Sequence, residues 1–523
     1  MSKSSSQKVV VIGAGIGGLT AGALLAKRGY EVTIFDQAIV PGGCASTFKR
    51  QGFTFDVGAT QVAGLEPGGI HHRIFAELEI DLPPATPCDP ACAVFLPGET
   101  TPINVWRDPI RWQAERQQQF PGSEPFWEFL GQLFDASWKF QSRDPILPPR
   151  SLWDLSKLVG AIRLDTLITV PFTLSTVGDA LGWFGLKGDR RLQTFLDLQL
   201  KLYSQVTAAE TALLYAATAL GVSQTPQGLY HLEGSMQVLS DRLVASLERD
   251  GGKLLMRHTV KSIECNDAGT TGITVVNQKT GATWTETADQ VVANVTAQDL
   301  VTLLGEQEVG ERTNGKIGES SYPNPLPPLS MSGYHRRVRR LPQASGAFVV
   351  YLGVKAAAIP AECPPHLQFL YEYDGIIGEN NSLFVSVSHP GDGRAPTGKA
   401  TIVASSFVDP NRWYGDVDYG ALKAEYTAEA IAKLGTYFDL SPENIIVTEV
   451  GTPRTFERYT GRDRGIVGGI GQRVSTFGPF GFGTRTPVAG LWLVGDSTHP
   501  GEGTAGVSYS ALTVVRQICQ INK

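Results

Sequence analysis

A glycine cluster between two apolar runs, within residues 9–36, constrains the fold of this chain more than any other feature. The first run, VVVI, has the β-branched composition of a parallel strand buried on both faces. GAGIGG follows, then LTAGALLAKRG, and then the second run, EVTIFD. This order predicts strand, glycine turn, helix and strand, with Gly29 as the C-terminal cap of the helix.

Three glycines of this turn have distinct expected roles. Gly13 permits a tight turn, Gly15 lets the backbone approach a pyrophosphate, and Gly18 lets the helix pack close to the strand. The N–H groups of the helix N-terminus favour phosphate. Asp36, at the end of the second strand, is placed to bind a ribose hydroxyl pair, which disfavours NADP. The combined pattern predicts a dinucleotide site rather than a purely structural turn, and it leaves FAD and NAD open.

Length and charge limit the class of protein. A chain of 523 residues exceeds one simple core, so two packed domains are expected. The formal net charge of −6 disfavours a nucleic-acid partner. Six scattered cysteines without CxxC spacing indicate reduced thiols and no metal site.

No apolar run reaches the roughly 18 residues of a spanning helix. The N-terminal segment MSKSSSQ lacks the apolar stretch of a secretory signal, so a cytoplasmic chain is expected.

Residues after Asp36 carry a resemblance to a known family. Gly42 and Gly43 form a loop, and the segment GFTFDVG ends at Gly58. These motifs resemble those of the FAD-dependent amine oxidase superfamily, particularly its carotenoid desaturase and isomerase branch. The resemblance implies that all three glycines lie at the cofactor and that the Val260 backbone contacts its adenine. The chain departs from many relatives in having Cys44 where they have a basic residue, and Asp36 where they have Glu.

A second signal occupies residues 490–518, GLWLVGDSTHPGEGTAGVSYSALTVVRQI. A buried strand is expected to end at Gly495 and Asp496, where the carboxylate would bind ribityl or pyrophosphate oxygens. The following small residues predict a helix start whose N–H groups favour the negative charge of a reduced flavin; this turn contains Gly506, Val507 and Ser508. His499 has two open interpretations, a structural residue and a neighbour of the flavin.

Because the two signals must meet at one cofactor, the FAD-binding domain is expected to be discontinuous. The predicted fold class is α/β, with a Rossmann-like FAD domain and a second α+β substrate domain that contains an antiparallel sheet and helices. The expected FAD domain comprises 1–70, 225–300 and 450–523, and the expected substrate domain comprises 71–224 and 301–449. Strand runs such as GAFVVYLGV and TIVASSFV indicate a half-exposed antiparallel sheet.

Three segments of the expected substrate domain have patterns relevant to lipid. Residues 123–140 predict an amphipathic helix with regularly spaced aromatic residues. Residues 152–167 place Leu152, Leu155, Leu158, Val159 and Ile162 on one face, as in a core-facing helix or a helix lying on a membrane. HRRVRR, at 335–340, is either a solvated loop or a patch attracted to anionic lipid. A peripheral membrane protein without a spanning helix is therefore expected.

The sequence shows no catalytic triad, HExxH or paired-acid motif. We therefore expect the cofactor to carry out the main step of the reaction. Glu502 is the acid nearest the flavin motif and a candidate for proton transfer, with His499 as a second candidate. The C-terminal motif most resembles that of cyanobacterial-type carotenoid 3',4'-desaturases, which implies dehydrogenation of an acyclic or monocyclic carotenoid, with quinone or oxygen as electron acceptor. A carotene cis–trans isomerase using reduced FAD and a non-catalytic FAD-bearing carotenoid-binding protein are the alternatives. An amine oxidase with covalent flavin is disfavoured, because the C-terminal flavin segment lacks a cysteine.

Overall fold

The computed structural model of the chain describes residues 7–305 and 330–521, so parts of the expected 1–70, 301–449 and 450–523 segments lie outside it. The elements of the first part are, in chain order, β1 (Lys8–Ile12), α1 (Ile16–Lys27), β2 (Glu31–Asp36), β3 (Thr47–Arg50), β4 (Phe53–Asp56), β5 (Val62–Ala63), α2 (Ile70–Leu78), β6 (Ala85–Pro87), β7 (Cys92–Phe95), β8 (Ile103–Val105), α3 (Pro109–Gln119), α4 (Glu124–Gln141), α5 (Leu152–Ala161), α6 (Val177–Trp183), α7 (Arg190–Ser204), α8 (Leu213–Ser223), β9 (Leu229–Leu232), α9 (Gln237–Arg249), β10 (Lys253–Met256), β11 (His258–Asn266), β12 (Gly269–Asn277), β13 (Thr283–Thr287), β14 (Gln290–Ala293) and α10 (Ala297–Leu304). Those of the second part are α11 (Met331–Arg339), β15 (Gly346–Lys355), β16 (His366–Leu370), β17 (Ser382–Val387), β18 (Lys399–Val408), α12 (Tyr419–Leu434), β19 (Ile445–Gly451), α13 (Pro453–Thr460), β20 (Leu491–Leu493) and α14 (Thr504–Ile521).

A five-stranded parallel sheet, in the order β10-β2-β1-β14-β20, confirms the predicted Rossmann-like architecture. Its central strand β1 is buried along Val9–Ile12, as its β-branched composition predicts. The helix after β1 ends slightly earlier than expected, with Arg28 at its C-cap position and Gly29 next at φ 86°. Glycine suits that left-handed position because it lacks a Cβ. Helices α9 and α14 pack against α1, so strands and helices from distant parts of the chain form one core.

A second, seven-stranded sheet has the order β19-β15-β18-β17-β16-β7-β8 and is antiparallel except where β16 pairs with β7. The sequence predicts a half-exposed sheet, and this is wrong for β15, in which all residues except Lys355 are buried. Phe348 on one face packs in a cluster with Trp413 and residues of α12, whereas Val349 on the other packs in a cluster with the β3–β4 hairpin. Both faces are covered by elements distant in sequence, which strand alternation does not reveal.

Helices α3 to α8 form the region that precedes the return to the parallel sheet. The expected amphipathic helix is confirmed as α4, whose Phe126, Trp127 and Leu130 enter a core shared with Trp112 and Phe195.

The core-facing interpretation of 152–167 is wrong. Helix α5 ends at Ala161, and Leu152, Val159 and Ile162 are 51%, 61% and 46% exposed. The residues that α5 buries are instead Asp154 and Ala161, and Asp154 accepts hydrogen bonds from Arg485 Nε and Gln517 Nε2, both at 3.0 Å. Periodicity identifies an apolar face, but it does not determine whether that face points inward or outward.

The basic run at 335–340 lies largely in helix α11, so its interpretation as a loop is also wrong. Tyr334 and Val338 are buried on the inner face of α11. The Arg337 guanidinium lies 4.0 Å from the centre of the Phe482 ring and donates a hydrogen bond to the Phe480 carbonyl. Part of this positive charge is therefore used in packing. Across 7–305 and 330–521, no helix has both the length and the apolarity needed to cross a bilayer.

Candidate functional site

A cavity of about 770 Å³ lies at the carboxyl ends of the parallel strands, between that sheet, the helical region and the seven-stranded sheet. Ligands of open α/β sheets bind at this edge. Most of the sequence-predicted site residues line the cavity: Gly13, Gly15, Asp36, Gly42, Gly43, Gly58, Val260, Gly495, Asp496, Glu502, Gly506 and Val507. Gly18, His499 and Ser508 lie outside its lining. Folding thus brings the two distant sequence signals to one cavity.

One wall of the cavity, the glycine cradle, is formed by bare backbone at Gly13, Gly15, Gly42 and Gly43. A Cβ on Gly13 would lie 2.7 Å from the Asn294 carbonyl oxygen, and one on Gly15 would lie 2.8 Å from Asn294 Nδ2. Gly15 is also the N-cap residue of α1 and provides no side-chain cap, so N–H groups of the first turn remain available. These features fit a diphosphate group, which needs close backbone approach and N–H donors.

The remaining glycine of the turn has the packing role predicted for it. A Cβ on Gly18 would lie 2.0 Å from the Gly13 carbonyl oxygen. Gly18 therefore brings α1 close to the end of β1 without itself lining the cavity.

Asp36 stands at the end of β2, where the sequence predicts a ribose-binding acid. Its Oδ2 accepts a hydrogen bond from the Ala14 N–H at 2.6 Å, and its Oδ1 accepts one from the Ala38 N–H at 2.7 Å. Burial raises the pKa of the carboxyl, while both backbone donors oppose that rise. Each oxygen has a second lone pair with which to accept a hydrogen bond from a hydroxyl group. The two backbone bonds fix the carboxylate at the rim of the cradle.

Asp496, expected to bind ribityl or pyrophosphate oxygens, is paired with a cation that the sequence did not indicate. Arg462 Nη2 donates to Asp496 Oδ2 at 2.6 Å, and Arg462 Nη1 donates to the Gly468 carbonyl at 2.8 Å. Cys44 also lines the cavity, and burial raises the pKa of its thiol while the charge of Arg462 opposes that rise. The positive charge on this side of the cavity thus comes from a loop outside both glycine signals.

Ser508 faces the interior of the parallel-sheet region rather than the cavity. Its hydroxyl donates to Nε2 of the buried His71 at 3.1 Å, and His71 Nδ1 donates to the Ala63 carbonyl at 2.8 Å. Burial lowers the pKa of His71 to about 4, so the ring is neutral at pH 7. Ser508 therefore links α14 to the segment around α2.

His499 lies behind the cavity wall. Its Nε2 accepts from the Gln141 side-chain amide at 3.0 Å, and burial lowers its pKa to about 4. Its ring is 5.7 Å from that of Phe477 and 6.4 Å from that of Tyr509, centre to centre, and both of those rings line the cavity. His499 thus supports lining residues in this arrangement.

The opposite side of the cavity, the apolar wall, is built from helices and from the seven-stranded sheet. Its side chains were not predicted from sequence, and they are Trp138, Leu198, Leu202, Tyr203, Tyr215, Ala219, Val222, Ile377, Phe384 and Phe407. They come from elements dispersed along the chain, and each resembles an ordinary core residue in its own segment. The wall can hold a long apolar molecule beside the glycine cradle.

Glu502 lies where the C-terminal segment meets the apolar wall. Its Oε2 accepts a hydrogen bond from Gln205 Nε2 at 3.1 Å, and the Gly469 N–H lies 3.4 Å away. Its Oε1 is buried and has no hydrogen-bond partner within the described ranges. Burial, together with the negative charge of Asp496, raises the pKa of Glu502 to about 8.

Comparison with known proteins agrees with this arrangement. Residues 11–78 match the family described as NAD(P)-binding Rossmann-like domain. The chain is 27% identical to prolycopene isomerase 2, chloroplastic, of an Oncidium hybrid cultivar, over 97% of this chain and 83% of that protein. It is 26% identical to the neurosporene-forming phytoene desaturase of Rhodobacter capsulatus, over 98% and 94%. An oxidoreductase from Methanosarcina mazei has the same fold, with a TM-score of 0.62 at 18% identity, over 97% of this chain and 100% of that one.

The Rossmann-like sheet, the glycine cradle and the similarity to desaturases together indicate a flavin-dependent oxidoreductase. The full-length similarity is specific enough to narrow this class. Over 97% or more of its length, the chain is similar to proteins named as carotenoid desaturases and isomerases.

Proposed function

We propose that the cavity binds FAD non-covalently. The N–H groups at the start of α1 would hold its diphosphate, Asp36 its ribose, and the Val260 backbone would contact its adenine. The start of α14, at Gly506 and Val507, would lie near the ring system, where its N–H groups favour negative charge. When bound, FAD supplies the acceptor for a hydride.

Release of the cofactor by acid tests the non-covalent assignment. Cys44 lines the cavity, whereas Cys519, near the end of α14, does not. We expect all yellow colour to pass an ultrafiltration membrane after acid denaturation of the flavin-loaded protein. Colour retained with the protein would contradict this assignment, and a Cys44→Ser variant would then show whether that thiol is the attachment point.

The proposed reaction is dehydrogenation of a carbon–carbon single bond near one end of a carotenoid, at C-3',4'. The observation that supports this reaction is that the glycine cradle and the apolar wall line the same cavity. A polyene can stabilise positive charge at an allylic carbon, so loss of hydride demands little further assistance from the protein. The choice of bond rests on the resemblance of the C-terminal motif.

Anaerobic mixing is the direct experiment. Flavin-loaded protein mixed with an acyclic or monocyclic carotenoid, without an electron acceptor, should lose its oxidised-flavin absorbance once and then stop. Adding a quinone or oxygen should restore turnover and give a product two mass units lighter, as loss of two hydrogens requires. A protein that binds the carotenoid without bleaching would instead be the non-catalytic binding protein.

A cis–trans isomerase is the second candidate, favoured by the full-length similarity to prolycopene isomerases. Such an enzyme would need pre-reduced flavin and would turn over without an acceptor. Its product would have unchanged mass and an altered isomer ratio, so the same anaerobic experiment separates the two reactions.

We also propose peripheral association with a membrane. An exposed apolar segment, 152–174, includes Leu164 at 87% and Leu174 at 67% exposure. It lies close to the cavity, because Ser142 at the end of α4 lines the cavity and the adjacent Arg143 donates to the Ala161 carbonyl at 3.1 Å. A carotenoid dissolved in lipid could then enter without crossing water. Liposome flotation at low and high salt tests this, and failure to float with neutral and anionic vesicles would contradict it.

A further inference from the structure

Four carboxylates line the cavity. In two of them both oxygens accept hydrogen bonds, and a third forms an ion pair. Asp36 accepts two backbone hydrogen bonds, and Asp496 pairs with Arg462. Asp299 accepts from the Thr296 hydroxyl at 2.5 Å and from the Asp463 N–H at 3.1 Å. Glu502 is the exception, because its buried Oε1 has no partner in the described part of the chain.

The surroundings of Glu502 fix one oxygen and leave the other unengaged. Gln205 Nε2 donates to Oε2, and Gly468 provides the room for this pair, since a Cβ there would lie 2.4 Å from both atoms. The Gln205 backbone carbonyl accepts from Lys201 Nζ at 2.9 Å, which anchors the glutamine. The side chains that hold Glu502 therefore leave its buried second oxygen without a hydrogen bond in the described part of the chain, while the residue itself lines the cavity.

We propose that Glu502 is the proton acceptor of the reaction, an inference that rests on the proposed dehydrogenation. A hydride leaves one carbon for the oxidised flavin, and the Glu502 carboxylate takes a proton from the adjacent carbon. The electron pair of that second C–H bond becomes the new π bond, so the substrate loses two hydrogens and the flavin gains two electrons. Gln205 is a positioning residue that stabilises the carboxylate.

The charges around Glu502 suit this role. Burial and the charge of Asp496 raise the pKa of the carboxyl, and Arg462 lowers it. Lys201 and Tyr215 approach from α7 and α8. The resulting pKa of about 8 makes the carboxylate a stronger base than an ordinary glutamate. This pKa is close enough to 7 that a useful fraction of the Glu502 carboxyl groups is ionised at pH 7.

Single-turnover bleaching of Glu502→Gln provides the kinetic test. Loss of a positioned base lowers rates by about 10²- to 10⁴-fold, so we expect at least a hundredfold slower bleaching by the carotenoid, with flavin retained. The wild-type rate should rise with pH and level off above about 8, whereas residual activity of the variant should lack this rise. Glu210→Gln is the matched control, because Glu210 is half-exposed and pairs with Arg473.

Infrared spectroscopy of the flavin-loaded protein without substrate gives an independent readout. The wild type should show a carboxylic-acid C=O band that disappears as the pH rises through about 8, and Glu502→Gln should lack it. Gln205→Met removes the donor to the carboxylate and should shift both the band titration and the rate profile to higher pH. A purely structural role of Gln205 would leave both midpoints unchanged.

The possible failures are distinguishable. Bleaching of Glu502→Gln within threefold of the wild-type rate overturns the role of Glu502, as does a wild-type rate that falls as the pH rises through about 8. If neither wild type nor Glu210→Gln bleaches with any carotenoid while the infrared titration is present, the proposed dehydrogenation itself is wrong, and this base role is overturned with it.

Discussion

The two sides of the cavity are built on different principles. The glycine cradle is shaped by backbone, with positions such as Gly13 and Gly18 where an added methyl group would collide with a carbonyl oxygen. The apolar wall is shaped by side chains such as Trp138 and Phe384, which come from separate helices and strands. Backbone gives a fixed outline suited to one cofactor, whereas side chains allow related chains to accept different substrates. The names of the relatives, one of which specifies prolycopene and another phytoene, agree with this division.

Removing the cation on the cradle side should have the largest effect. Arg462→Ala leaves Asp496, 8% exposed, without its ion-pair partner, and we expect a loss of about 4 kcal/mol in the free energy of unfolding. Arg190→Ala removes an arginine from an exposed pair with Asp374 and should cost less than about 1 kcal/mol. Denaturant titration of the flavin-loaded proteins measures both values. Equal effects would mean that the cradle does not depend on this pair.

A substitution in the cradle should next abolish tight flavin binding. Gly15→Val places side-chain atoms against Asn294 and in the space assigned to the diphosphate, so we expect at least a hundredfold weaker binding, about 2.8 kcal/mol. Gly131→Val is the control, since Gly131 lies on α4 with open space around its Cβ position. Equilibrium dialysis with FAD gives both dissociation constants. Tight binding by Gly15→Val would contradict the placement of the cofactor.

Acid should weaken the folded protein through two buried histidines near the cavity. His71 and His499 have pKa values near 4, below the ordinary 6.5, so the unfolded chain binds more protons between these values. Their contribution is complete above about pH 6.5 and is lost as the pH falls towards 4, at roughly 2 kcal/mol per histidine by pH 5. His71→Leu and His499→Leu should each flatten the pH dependence of unfolding, with His72→Leu as control. An unchanged slope in either variant would exclude that histidine as a source.

The smallest effect on stability should come from the exposed apolar segment. Leu164→Ser should change the free energy of unfolding by less than about 0.5 kcal/mol, because the side chain is 87% exposed. It should nevertheless reduce flotation with vesicles, whereas Ile110→Ser, at a position 79% exposed on α3, should not. If both variants float equally well, contact with lipid occurs elsewhere on the surface.

Prediction from sequence succeeded for the glycine cradle and failed for regions whose burial depends on distant elements. The β1–α1–β2 unit was predictable because its β-branched strands and glycine turn act locally, and the cavity-lining positions of Asp36 and Gly495 follow from strand ends. Burial of β15 and exposure of α5 depend on which elements cover them, information that no local pattern contains. Arg462 was missed for a related reason, because only folding brings its loop to Asp496.

The sheet order also determines when the protein can acquire its flavin during biosynthesis. Strand β14 lies between β1 and β20, and β20 is followed directly by the segment that leads into α14. A nascent chain that already contains β1, the glycine turn and α1 therefore still lacks one side of the proposed flavin site until β20 and α14 have left the ribosome. With the flavin in the proposed site, loading would be a late event, and a translation product that stops before β20 would contain the complete glycine motif yet remain colourless.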